Sequence, residues 1–108
     1  MISQVLLVAL LASAQGNVAQ ARTNYSKCLS KVLTADAKAG VEPSAFETKV
    51  VGECKAEEAA FRAASVASDV AAKIARATAE KNAEEEVGYI RENIVETYKV
   101  HMEPRPPK

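Results

Sequence analysis

The chain has 108 residues, with 14 Lys and Arg against 14 Asp and Glu, two cysteines, no tryptophan and only 5% aromatic side chains. A balance of that kind gives no reason to expect nucleic acid or anionic lipid as a partner. Abundant Ala, Glu and Lys favour helix, so the class is all-α; a small alanine-rich core removes little apolar area per residue and benefits from a covalent staple.

The opening MISQVLLVALLASAQGNVAQAR has an apolar run from Val5 to Ala12 and no charged side chain before Arg22. That is the plan of a secretory signal peptide, and the run is too short for a membrane-spanning helix of roughly 20 apolar residues. Two small-x-small sites compete, at Ala12–Ala14 and at Ala19–Ala21. The second lies directly before the first charge, which divides the chain into a leader at 1–21, a single helical domain at 22–101 and a flexible proline-rich tail at 102–108. Export to the periplasm or outside the cell follows from that division.

The first helix is predicted at 24–39. Tyr25, Cys28, Leu29, Val32 and Leu33 recur at three-and-four spacing, and Gly40 stands where a left-handed cap belongs. The triplet Asn24-Tyr25-Ser26 matches a glycosylation acceptor, but it falls at this helix start, where Asn24 suits a cap. Ser44 and Glu47 have capping-box spacing behind Pro43, so a second helix is predicted at 45–81, with Phe46, Val50, Cys54 and Phe61 on one face.

Cys28 lies before the turn and Cys54 after it by similar lengths of helix, roughly 15 to 18 Å each at the helical rise. The two are therefore level on faces that must meet, and in an oxidising compartment such a pair is expected to form a disulfide. Other uses of these cysteines have little support. A thioredoxin-like site wants two cysteines close in sequence, a zinc site wants three or four ligands, and His101, the only histidine, has no evident orienting partner. No catalytic residue, cofactor or metal is expected. The cluster of Glu80, Glu84, Glu85, Glu86, Glu92 and Glu96 reads as solvated helix surface.

The layout Y-x-x-C-L followed by C-x-x-E and a further aromatic, carried by Tyr25, Cys28, Leu29, Cys54, Glu57 and Phe61, resembles small exported proteins of Gram-negative bacteria. The resemblance covers residues 25–61. It implies a periplasmic location and a stapled hairpin, and no activity or functional residue.

Beyond Phe61 the apolar face changes, so either the helix breaks or other chains cover it. A break is predicted at Lys81 and Asn82, where Asn82 and Glu85 have capping spacing, and a third helix at 83–101. Its stripe of Val87, Ile90, Ile94 and Tyr98 folds back on the hairpin or serves as a contact surface for a protein partner. Small residues Ala59, Ala63 and Ala67 permit close helix contact, and Val66, Val70 and Ile74 pack inside the monomer or form a seam between two copies. Glu58–Arg62 and Asp69–Lys73 read as paired charges on a solvated face. The expected function is that of a non-catalytic exported helical protein working through protein contacts or self-association. The alternative is an amphipathic protein lying on a membrane surface, disfavoured by low hydrophobicity and the lack of a basic face.

Overall fold

A computed structural model describes residues 2–104, with side chains from Asn17 onward. Four helices follow in order: α1 (Ile2–Lys38), α2 (Pro43–Val50), α3 (Lys55–Ala71) and α4 (Arg76–Met102). Among the described residues there is no strand, and no helix is long and apolar enough to cross a membrane. The side chains of the leader before Asn17, and residues 105–108 of the tail, lie outside the described residues.

The helices form an up-down-up bundle whose middle member, α2 followed by α3, is bent at 51–54. Tyr25 of α1 meets Phe61 of α3, while Asp36 near the end of α1 meets Lys49 of α2, so the two strokes are antiparallel. Arg22 pairs with Glu86, and Tyr98 reaches Val41 just beyond α1, so α4 runs parallel to α1. Tyr25, Leu29, Phe46, Phe61, Val87 and Tyr98 are fully buried along the axis. The rings of Phe46 and Tyr98 stack with centroids 4.0 Å apart, an aromatic contact that fastens the far end of α4 to α2.

Both long-helix ends close in the same way. Gly40, at φ 73°, is the left-handed residue after α1, and Val41 N donates to Asp36 O at 3.0 Å while Gly40 N donates to Ala37 O. This is a Schellman motif, where glycine avoids the Cβ clash of the left-handed region. The end of α3 repeats it with Lys73 at φ 71°: Ile74 N donates to Asp69 O at 3.0 Å and Lys73 N to Val70 O. A lysine there costs about 1 kcal/mol, offset by the satisfied carbonyls.

The helix boundaries therefore differ from those expected. The break comes at Ala72–Ala75 instead of Lys81–Asn82. Asn82 lies inside α4 and its amide Nδ2 donates to Asp69 Oδ2 at 3.2 Å, tying α3 to α4 in place of a cap. A second interruption, at Val51–Cys54, was not expected at all. Gly52 weakens any helix through it, Cys54 takes the left-handed conformation at φ 59°, and Arg91 Nη2 donates to Val51 O at 3.3 Å. Pro43 occupies the first turn of α2, its missing N–H being one that no helical carbonyl would accept. The Ser44–Glu47 capping box is not formed; Glu42 precedes the helix without a side-chain cap. The first helix does not start at Asn24 either, because α1 is already helical before it, and Asn24 Oδ1 accepts from Gln20 Nε2 in mid-helix.

Ala59, Ala63 and Ala67 are exposed, so they make no close helix contact. The alanines that do are Ala79 and Ala83, both buried where α4 leaves the turn beside α3. Val66 and Ile74 are half-buried and Val70 is exposed, outside the main core cluster.

Candidate functional site

The richest chemistry in the bundle lies at the bend between α2 and α3. Cys28, in the last third of α1, is bonded to Cys54 at the bend, with the Cα atoms 6.0 Å apart and both residues half-buried. Cys54 is not on a continuous second helix as expected; it precedes α3, and its carbonyl accepts from Glu58 N at 2.9 Å to start that helix. A bridge of this kind belongs with an oxidising environment. The Glu57 carboxylate lies within 4.8 Å of both sulfurs, but sulfurs bonded to each other supply no thiolate for a cation.

One turn into α3, Glu58 is the hub of a charged cluster. Its Oε2 accepts from Arg62 Nε at 3.0 Å, its Oε1 accepts from Arg91 Nη2 of α4, and the Tyr25 hydroxyl donates to the same Oε1 at 3.5 Å. Arg62 also donates to Glu84. The Glu58 side chain is only 16% exposed and that of Arg91 20%, so this is not the solvated face expected for Glu58 and Arg62. Arg91 Nε is buried with no hydrogen-bond partner. Nearby, the Arg22 guanidinium stands 5.5 Å from the centroid of the Phe61 ring, a cation–π contact.

A second polar group lies at the end shared by α1, α2 and α4. Asp36 is buried; Lys49 Nζ donates to its Oδ1 at 2.8 Å, while Oδ2 has no partner. The Tyr98 hydroxyl donates to Val41 O.

These surroundings shift four groups upward: Tyr25, Tyr98, Lys49 and Arg62, the last chiefly through its hydrogen bond to Glu84. Burial is the main cause for Tyr25, reinforced by the Glu58 charge and partly relieved by Arg91. Burial also leads for Tyr98, with the charges of Asp36 and Glu42 adding to it. For Lys49 the hydrogen bond to Asp36 is the main cause. In each case the folded chain holds its proton to higher pH than the unfolded chain does, so the native state binds more protons above the unfolded values and stability falls as pH rises. Thermal melting followed against pH is expected to show a steady midpoint from neutral pH up to about pH 10 and a decline above it. A midpoint unchanged through the tyrosine and lysine range would contradict these placements.

Of the residues singled out from the sequence, Cys28 and Cys54 are brought together. Val87 and Tyr98 are fully buried and Ile90 and Ile94 half-buried against the core. The stripe is thus the face by which α4 folds back, and as a whole it is not an open contact surface. Ile90 and Ile94 do show one edge in a shallow groove between α1 and α4, lined also by Ser26, Leu29, Asn93 and Thr97. The acidic residues are partly engaged: Glu84 with Arg62, Glu86 with Arg22 and Glu96 with Lys99. Asp69 and Lys73 form no ion pair, since Lys73 has left the helix and Asp69 accepts from Asn82. Arg91 is the member that sequence reasoning missed. Its one signal was a basic residue adjoining Ile90 in the fold-back stripe, 33 residues from its partner Glu58.

Comparison of the chain with protein-family models, with curated proteins and with solved structures finds no match.

Proposed function

We propose that this chain is an exported, non-catalytic helical protein that acts through protein contacts in the periplasm or cell envelope. The observation that carries the reading is the Cys28–Cys54 bridge, which closes a 26-residue separation and ties the last third of α1 to the start of α3. Structural bridges persist where thiols are not kept reduced. The apolar leader, free of charged side chains before Arg22, supports the same compartment, and cleavage after Ala21 is the expected processing step.

The rest of the polar chemistry is directed inward. Glu58 and Glu84 balance Arg62 and Arg91, Asp36 is matched by Lys49, and the two cysteine sulfurs are bonded to each other. Groups held in that way fasten helices and leave the outer helix faces as the surface that meets partners.

Intact mass of the protein recovered from cells tests the reading. Cleaved, exported chain is expected to begin at Arg22, resist alkylation before reduction and accept two alkyl groups afterwards. Retention of the leader together with two freely alkylated thiols would reject it.

A further inference from the structure

Glu57 lies in the first turn of α3, three residues after Cys54, with its carboxylate within 4.8 Å of both sulfurs of the bridge. Its neighbour Glu58 is held by Arg62 and Arg91, whereas Glu57 forms no ion pair or side-chain hydrogen bond among the described residues. An open groove of about 430 Å³ between α1 and α3 leads to the same place. Gln20 and Asn24 line one wall, and Ala56, Glu57, Ala60 and Ala64 line the other; of the described residues that line it, Glu57 alone is charged. One further turn along each wall leads from Asn24 to Cys28 and from Glu57 to Cys54, so the bridge stands at that end of the groove. Cleavage after Ala21 would take Gln20 from the α1 wall and leave the other five in place.

Both cysteines are half-buried, and reduction of such a bridge by a small thiol is a pair of displacements. A thiolate attacks one sulfur, the Cys28–Cys54 bond breaks as a mixed disulfide forms, and the electron pair leaves on the other cysteine as a thiolate. A second thiolate then displaces the first at the mixed disulfide. Two small thiols are oxidised to one disulfide, the bridge is reduced to two cysteine thiols, and the protons pass from the one pair to the other through water. In the first displacement negative charge spreads over three sulfurs. A carboxylate within 4.8 Å of two of them opposes it.

We propose that Glu57 guards the bridge against small thiols according to their charge, slowing anionic thiols most. Glutathione meets its field with the thiolate and with the net negative charge of the rest of the molecule. Mercaptoethanol brings the thiolate alone, and the ammonium group of cysteamine offsets it. The other charges near the bridge are Glu53, paired with Lys49 at 3.9 Å, Glu58 in its cluster, and the exposed Lys27, Lys31 and Lys55. These are common to the wild-type chain and to a Glu57 variant, so comparing the two isolates this one carboxylate. The inference rests on the bridge itself and not on the route by which the chain is exported.

Reduction kinetics of the purified oxidised chain test it. Each thiol is added in excess at neutral pH, samples are quenched with an alkylating agent, and the rate, expressed per thiolate, is read from intact mass. Glu57→Gln exchanges a partnerless side chain for one of the same shape and keeps the helical circular dichroism. It is expected to speed reduction by mercaptoethanol about threefold, by glutathione about sixfold and by cysteamine less than about twofold. Glu57→Lys widens the spread between glutathione and cysteamine, and added salt narrows the difference between the wild-type chain and either variant. An equal gain with all three thiols is the mark of a loosened bend and overturns the proposal. Rates that neither substitution changes overturn it as well.

Discussion

Replacing both Cys28 and Cys54 with serine is expected to lower the folding free energy by about 3.5 kcal/mol on the chain-entropy model for a loop of this length. The bridge joins residues separated by 26 positions, so its removal frees the unfolded chain to sample conformations the cross-link forbids. For a domain below 100 residues that is a large part of the whole margin, and a shift of the thermal midpoint by roughly 15 to 25 °C follows. The folded side of the equilibrium contributes as well. Cys54 holds φ 59°, a conformation costly for cysteine and serine alike, and without the bond the bend at 51–54 is held by the Arg91 contact to Val51, the Lys49–Glu53 ion pair and its own backbone turns. Melting of the wild-type chain with and without a reducing agent, set beside the double variant, checks the figure. A shift of only a few degrees would mean that the helices alone define the bend.

The second large effect belongs to Glu58. It is the common acceptor for Arg62, Arg91 and the Tyr25 hydroxyl, so Glu58→Ala strands more charge than the loss of any single donor. Breaking a buried pair by removing one partner costs about 3 to 5 kcal/mol, because the other charge is left without compensation. Here partial exposure of the cluster moderates that to about 3 kcal/mol. Arg62→Ala is expected to cost under about 1 kcal/mol, since Glu58 keeps Arg91 and the lost partner Glu84 is open to water. Urea denaturation of the two variants, with a double-mutant cycle between Glu58 and Arg91, separates these contributions. Equal costs for Glu58→Ala and Arg62→Ala would remove the hub from the account of stability.

Much of the frame was legible in the residues. The cysteine pair, Gly40 as a left-handed cap and the fold-back of Val87 and Tyr98 each follow from a local rule that the structure obeys. What was not legible falls into two kinds. The end of α3 uses the same Schellman motif as the end of α1, but Lys73 stands in the position Gly40 occupies, and a lysine carries no mark of left-handed backbone. The bend at Cys54 is likewise hidden by periodicity, because Phe46, Val50 and Phe61 share one face whether or not the helix between them is broken. The charged cluster was misread for a different reason. A four-residue Glu–Arg pair looks the same on a wet surface as in a crowded interior, and only the approach of Arg91 from another helix distinguishes them.

The position of the bridge also sets an order of events. On the proposed route of export, a chain threaded through a translocation channel with its amino end leading presents Cys54 well before Val87 or Tyr98 emerges. Both cysteines lie within α1 and the bend, so the oxidised hairpin can close without any residue of α4. The last helix then arrives at a surface already built, with Phe46 and Phe61 fixed by a covalent tie on one side and the Asp36–Lys49 contact on the other. In this sense the early part of the polypeptide is a template, and α4 is the piece cast against it.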